Sequence, residues 1–462
     1  MVIQPKKDLR VFQLIATKVV DKSLKHLDYQ VDYENATAKF FIDSAKVQTK
    51  EFIPALKSCL ESAYSWEVNY KSFLEATAPN FDEFELELCL RSLVDCILRS
   101  PKKYFQKEKR NDHKKINRQI KLVGLEDLSE EITNILDGEN QIKEWAELPP
   151  NILDAEKFVS EIISTSKELD LNYEVFNWEE LYSKGFKLTC AVGQNKKNSY
   201  LITLREKREE DSNKKRKKIV IIGKGICFDT GGLSLKTGGN MAGMKFDMTG
   251  AGLVAAIFFT LAKSKFSEEN EVIALLPISE NLIGSDSIKV DSVIQAYGGK
   301  FIEISNTDAE GRLLLAEAIA YASRDLEASE IMTVATLTGA VGYALGKKYA
   351  GAWSTSEENW KKFNSLSDYT GEYVWRLPLD KYYLEKLKSS IAELKNSATT
   401  GIGGASRAAA FLAEFSDNKE FIHLDIANVS SKTCHQHSNI ALAPLFKTIY
   451  FYLKGRKISL PN

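Results

Sequence analysis

Two segments of the chain concentrate residues able to do chemistry. The first runs from Gly223-Lys224-Gly225 through Phe228-Asp229-Thr230-Gly231-Gly232 and Lys236 to Met244-Lys245-Phe246-Asp247-Met248. The second is Asn306-Thr307-Asp308-Ala309-Glu310-Gly311-Arg312-Leu313. Together they hold four carboxylates (Asp229, Asp247, Asp308, Glu310), Lys224 and Lys236 in glycine-rich surroundings, Arg312, and no histidine. Hard divalent ions take oxygen and unprotonated nitrogen, so such a set points to Mn, Mg or a carboxylate-bound Zn. Two ions about 3.5–4 Å apart need bridging carboxylates to screen their repulsion. Four negative charges balance two such ions, which leaves Lys236 and Arg312 as a positive surplus suited to an oxyanion and one further anion. Without cations the same carboxylates would repel one another and raise their pKa values.

Each fragment alone has a plainer reading. Asp229-Thr230-Gly231-Gly232 fits a turn. Thr307 to Glu310 fits a helix capping box, in which Glu310 would reach back to the backbone and could not bridge ions. Lys224 alone could be a surface lysine. The joint occurrence favours the site. A P-loop is excluded because Gly223-Lys224 is followed by Gly225 and Lys236-Thr237 is preceded by Leu235. A dinucleotide fingerprint would need a glycine where Phe228 stands.

The elements that must position these residues follow from apolar patterning. Lys218–Ile222, Glu271–Leu276, Ile331–Ala335 and Phe421–Ile426 read as buried strands, and Ala251–Ala262 and Leu313–Ala322 as helices. Such alternation predicts an α/β fold with a mixed, largely parallel sheet flanked by helices. Chemistry then gathers beyond the carboxyl ends of the strands, where Lys224 follows its strand directly. Upstream, strand-like Arg10–Ile15 and Ala38–Ile42 and the helical spacing of Phe52, Leu56, Leu60 and Tyr64 predict a smaller α/β domain over residues 1–125. An amphipathic linker helix is expected over 126–148, broken by Pro149-Pro150, with the catalytic domain over 149–462.

At 462 residues, 44% hydrophobic and 27% charged with a net charge of −1, the composition is that of a soluble protein without a field for nucleic acid or anionic membrane. The longest apolar run, Ala251–Ala262, is shorter than the roughly 20 residues a bilayer needs. Charges near Met1 oppose a signal peptide, and six scattered cysteines suggest reduced thiols and a cytoplasmic address. The basic stretch Lys102–Lys121 reads as a solvated face, Arg205–Lys218 as an exposed hairpin tip, and His435 and His437 as loop residues.

The two segments resemble the leucyl aminopeptidase family, peptidase family M17. Its first motif corresponds to Gly223–Gly225, Phe228–Gly232, Lys236 and Met244–Met248, and its second stands complete as Asn306–Leu313. Similar sequence continues in Ala335–Ala340 and Gly403–Phe415, so the resemblance spans residues 145 to 427. It implies a dimetal aminopeptidase that hydrolyses single N-terminal residues, preferably leucine-like, with two Mn or Zn ions. By position, Lys224, Asp229, Asp247 and Glu310 would bind the tighter ion, and Asp229, Asp308 and Glu310 the exchangeable one. Lys224 would bind as the neutral amine. Lys236 would stabilise the tetrahedral gem-diolate, and Arg312 would hold a bicarbonate that accepts a proton from the attacking water. The substrate's α-amine would ligate one metal, and Met244, Thr336 and Gly339 would form the side-chain pocket. The resemblance also implies a homo-hexamer acting on peptides with a free N-terminus, while the charge balance of −1 argues against a membrane or nucleic-acid partner. The alternatives are a DNA-binding protein or a structural hexamer with secondary peptidase activity. The sequence departs from the family after Val429 and matches it only loosely in the N-terminal region.

Overall fold

Strand-forming and helix-forming stretches segregate into two units in the computed structural model, one of residues 1–133 with 367–372 and one of 134–366 with 373–462. The structure describes the chain except residues 1–10, 20–24, 33–34, 36, 45, 47, 62–64, 79–80, 99–119, 125–128, 208–215, 399–401, 434–438 and 457–462. The smaller unit carries β1 (Val11–Lys18), β2 (Tyr29–Asp32), β3 (Thr37–Ile42), β4 (Ser65–Asn69) and β5 (Ile120–Val123) in the order β2-β3-β1-β4-β5. All neighbours are parallel except β2 and β3. Phe52, Leu56 and Leu60 lie on the buried face of helix Thr49–Glu61, joined by Phe40, Phe73 and Phe81. Tyr64, most of the basic stretch after Lys102, and His435 and His437 fall outside the described residues.

The larger unit contains β6 (Asn172–Phe176), β7 (Tyr200–Arg205), β8 (Lys217–Gly223), β9 (Gly225–Asp229), β10 (Asn270–Asn281), β11 (Val293–Gln295), β12 (Phe301–Glu303), β13 (Glu330–Ala335), β14 (Ala350–Ser354), β15 (Val374–Arg376), β16 (Leu394–Lys395), β17 (Glu420–Asp425), β18 (Ser431–Thr433) and β19 (Asn439–Ala441). The main sheet runs β15-β14-β17-β13-β8-β10-β7-β6, with β9 beside β10. Its four central strands, β17-β13-β8-β10, are parallel, and the neighbours β14 and β7 are antiparallel to them. The central strands are almost continuously buried, as strands covered on both faces must be.

Helices Thr249–Lys263 and Gly311–Arg324 both pack on β8, β10 and β13. Val220 and Ile222 share a core with Leu313–Ala322 of the second helix, so strand alternation turns Ile219 and Ile221 to the opposite face. The stretch Met244–Lys263 is long and apolar enough to cross a membrane by composition, yet 89% of it is buried inside the protein. A helix apolar all round is what a fully covered core position requires.

The hairpin expected over Arg205–Lys218 does not form between the flanking strands. β7 and β8 do not pair, because β10 lies between them, antiparallel to one and parallel to the other. The amphipathic pattern upstream forms helix Glu130–Glu147, which stops just before Pro149-Pro150. The division between the units falls at Thr133–Asn134, inside this helix.

Candidate metal centre

Lys224 sits where β8 hands over to β9. β10 pairs with β8 through Leu275 and with β9 from Ile278, so the residue between the two strands leaves the ladder. Its amide donates instead to the Val334 carbonyl at 3.0 Å and its carbonyl accepts from the Ala251 amide at 2.7 Å. Glycines make this crossing feasible: a Cβ at Gly223 would lie 2.5 Å from the Ala251 backbone, and one at Gly250 2.4 Å from the Val334 carbonyl. Gly311 has the same importance for the side chain, since a Cβ there would stand 2.5 Å from Lys224 Cε. The Lys224 ammonium is thus delivered to Asp247 Oδ2 at 2.7 Å, Glu310 Oε1 at 3.1 Å and the Thr336 carbonyl at 3.0 Å.

Asp229 ends β9 and enters a turn in which Gly231 and Gly232 both take positive φ, a conformation that favours glycine. The turn is real, and it serves the site: the Gly231 amide and Asn281 Nδ2 each donate to Asp229 Oδ1 at 2.8 Å. The turn also brings Lys236 back onto Asp229 Oδ2 at 2.8 Å and Asp308 Oδ1 at 2.5 Å. Asp247 lies in the short helical segment Met244–Met248, and Thr336 donates to its Oδ1 at 2.8 Å.

The capping-box alternative for Thr307 and Glu310 does not hold. Glu310 is itself the cap of helix Gly311–Arg324 and its side chain makes no capping bond. The Thr307 hydroxyl is spent elsewhere, donating to the Gly231 carbonyl at 2.6 Å and accepting from the Ser234 amide at 2.7 Å. Glu310 is therefore free to turn into the cluster. One oxygen from each of Asp229, Asp308 and Glu310 lies within 4.8 Å of the others.

Burial pushes the Glu310 carboxyl up to about 8, with Asp229 repulsion adding to it, and Asp247 up to about 6. Asp308 is shifted up by burial as well. Burial opposes the charge on Lys224 and Lys236, yet the surrounding carboxylates hold both above the ordinary lysine range. With the protein's own groups alone, two ammoniums act as the cations of the cluster. They do not complete it: Glu310 Oε2 is buried and has no hydrogen-bond partner. An orphaned buried carboxylate oxygen beside two further carboxylates fits a divalent cation.

A cavity of about 600 Å³ opens over these groups and is lined by Met244, Thr336 and Gly339 together with Lys236, Asp308 and Tyr343. Six of the seven residues read as ligands or charged partners reach this wall: Lys224, Asp229, Lys236, Asp247, Asp308 and Glu310. Arg312 does not. It is buried behind the wall, its Nη1 donating to the Asn396 carbonyl at 2.8 Å and its Nε without a partner. Burial lowers its pKa to about 10, so it keeps its charge. Sequence reasoning missed Asn281, Asn396 and Asp425. Asp425 accepts from the Thr338 hydroxyl at 2.7 Å and the Leu337 amide at 3.1 Å, fixing the loop that lines the cavity.

The fold and cluster define a class, an α/β protein with a carboxylate cluster able to hold a cation beside the carboxyl ends of its parallel strands. The model of the cytosol aminopeptidase family, catalytic domain, matches residues 140–447. The chain belongs to that family. It is 38% identical over 313 residues to a probable cytosol aminopeptidase of Mycoplasma genitalium, covering 67% of this chain and 68% of the relative. A probable cytosol aminopeptidase of Mycoplasma pneumoniae is 39% identical over 292 residues, 63% of this chain and 65% of the relative. One from Metamycoplasma salivarium is 32% identical over 359 residues, 75% and 68% of the respective chains. Family membership supports a peptidase hydrolase of the aminopeptidase class.

Proposed function

We propose that the protein is a dimetal aminopeptidase that removes single N-terminal residues, leucine-like ones preferred, from peptides with a free N-terminus. The observation that carries this reading is the Asp229–Asp308–Glu310 cluster, in which Asp229 and Glu310 are buried and one Glu310 oxygen has no partner. Lys224, Asp229, Asp247 and Glu310 would hold the tighter of two Mn or Zn ions. Asp229, Asp308 and Glu310 would hold the exchangeable one, with Asp229 and Glu310 serving both. Bound there, the ions would polarise the scissile carbonyl and lower the pKa of a water molecule.

The chain's own groups supply the rest. Lys224 must surrender its proton, because its ammonium and a cation compete for the same carboxylate oxygens. Lys236, more open to the cavity, keeps its charge and neutralises the oxyanion that develops on the substrate. Arg312 cannot serve as a base. By the family resemblance its fixed charge would hold a bicarbonate that takes up a proton, which requires the side chain, buried behind the wall here, to turn toward the cavity. Met244 and Thr336 wall the pocket for the N-terminal side chain, and a Cβ placed on Gly339 would meet nothing within 4 Å, which leaves that side open to a leucine-sized group. A homo-hexamer in the cytoplasm completes the proposal on the strength of the family resemblance.

A panel of amino-acid p-nitroanilides, with Mn and Zn added separately to chelated protein, tests this reading. Leucine p-nitroanilide should be turned over fastest and its N-acetyl derivative not at all. Equal hydrolysis of the acetylated compound would overturn it.

A further inference from the structure

The carboxylates Asp308 and Glu310 stand on a stretch without regular structure between β12 and helix Gly311–Arg324. Such a stretch cannot rely on a sheet or helix ladder to fix its backbone, and its polar groups need other partners. Through its side chain Asn396 supplies partners for four of them, at Ser305, Asn306 and Ala309. It follows β16, which runs parallel to β12, and its amide donates to the Glu303 carbonyl at 3.0 Å. Its side chain is fully buried. Oδ1 accepts from the amides of Ser305 at 2.9 Å and Asn306 at 3.2 Å. Nδ2 donates to the carbonyls of Asn306 at 2.6 Å and Ala309 at 3.3 Å. Its main-chain carbonyl receives Arg312 Nη1.

From this geometry we infer that Asn396 is a positioning residue, which sets the aim of Asp308 and Glu310 by clamping the backbone from Ser305 to Ala309 and ties Arg312 to the same clamp. Only a carboxamide fits. It offers an acceptor and two donors, and every one is used. A carboxylate would face the Asn306 and Ala309 carbonyls with no hydrogen to give, and alanine would leave buried backbone groups without partners. Ser305 makes a weaker, parallel link, its hydroxyl donating to the Ser397 carbonyl at 2.7 Å. That link grips the loop at one end and does not touch Ala309. The inference rests on the dimetal reading, because aim matters only if the carboxylates act together on one ligand.

The test compares wild type with Asn396→Asp, Asn396→Ala and Ser305→Ala. Mn affinity of the chelated protein is measured by calorimetry, leucine p-nitroanilide kinetics at a temperature well below each melting transition, and folding by circular dichroism. Both Asn396 variants should bind Mn and turn over substrate roughly 10- to 100-fold more weakly, the loss expected when a group orienting a metal ligand is removed. Their KM should stay within about twofold, because the side-chain pocket is untouched. Ser305→Ala, which keeps the Asn396 bonds to the Ser305 and Asn306 amides and to Ala309, should lose less in both readouts than either Asn396 variant. A purely structural role predicts lower melting temperatures with unchanged Mn affinity and kcat in the folded fraction, and that result would overturn the inference. If Asn396→Ala fails to fold, the isosteric Asn396→Asp decides. Absence of Mn binding by wild type would sink the dimetal reading instead, and the kcat comparison would still judge the clamp.

Discussion

Lys224 and Lys236 each lie between two carboxylates, but their surroundings separate their roles. The Lys224 side chain is 3% exposed and enclosed by Asp247, Glu310 and the Thr336 carbonyl, whereas Lys236 is 14% exposed and borders the cavity. An enclosed amine can exchange its proton for a cation without moving. One at the cavity edge can meet a charge that forms on the substrate. Lys236→Ala should therefore cut kcat about 100- to 1000-fold, the scale of losing one preorganised oxyanion partner. Metal content by elemental analysis should stay near wild type. A variant that loses metal would place Lys236 among the ligands.

At the scale of elements, the site depends on three close approaches: β8 to helix Thr249–Lys263, β9 to β10, and helix Gly311–Arg324 to Lys224. The last is the tightest test. A methyl group at position 311 would lie 2.5 Å from Cε and 2.8 Å from Nζ of Lys224, both inside contact distance. Gly311→Ala should displace the lysine from Asp247 and Glu310. The expected result is loss of at least one metal per chain and of activity, with circular dichroism unchanged because alanine suits a helix N-terminus. Full metal occupancy in the folded variant would contradict the placement of Lys224.

Much of this arrangement is legible in the sequence, for a definite reason. β8, β13 and β17 are short, mostly apolar runs, and a strand buried on both faces leaves that trace wherever it occurs. Lys224 and Gly225 directly follow the β8 run, so their location beyond that strand's end follows. Asn281 and Asn396 leave no such trace. Their partners, Asp229 and the Ser305–Ala309 backbone, lie 52 and up to 91 residues away, and an asparagine in isolation reads as a turn residue. The hairpin expected over 205–218 failed similarly: two apolar runs separated by polar residues look like paired neighbours, although long-range pairing inserts β10 between them.

At the scale of the whole molecule, the central sheet buries polar groups that make stability depend on pH. His423 of β17 is fully buried, shares a hydrogen bond with the Thr333 hydroxyl at 2.8 Å and stacks on Trp353. Burial, aided by the Arg312 charge, lowers its pKa from 6.5 to about 3. The unfolded chain then binds a proton that the folded chain refuses between these values. This contribution is complete above pH 6.5 and is lost as pH falls toward 3. His423→Gln should flatten the acid side of the melting-temperature profile relative to wild type. Parallel profiles for the two proteins down to pH 4 would assign acid unfolding to the carboxylates alone.

Metal stoichiometry tests the central claim most directly. Protein stripped with a chelator should hydrolyse no leucine p-nitroanilide, regain activity with Mn or Zn, and then carry two ions per chain by elemental analysis. Asp308→Ala and Glu310→Ala should each carry fewer ions and remain inactive. Hydrolysis by the fully stripped protein, or wild-type activity in either variant, would contradict the account.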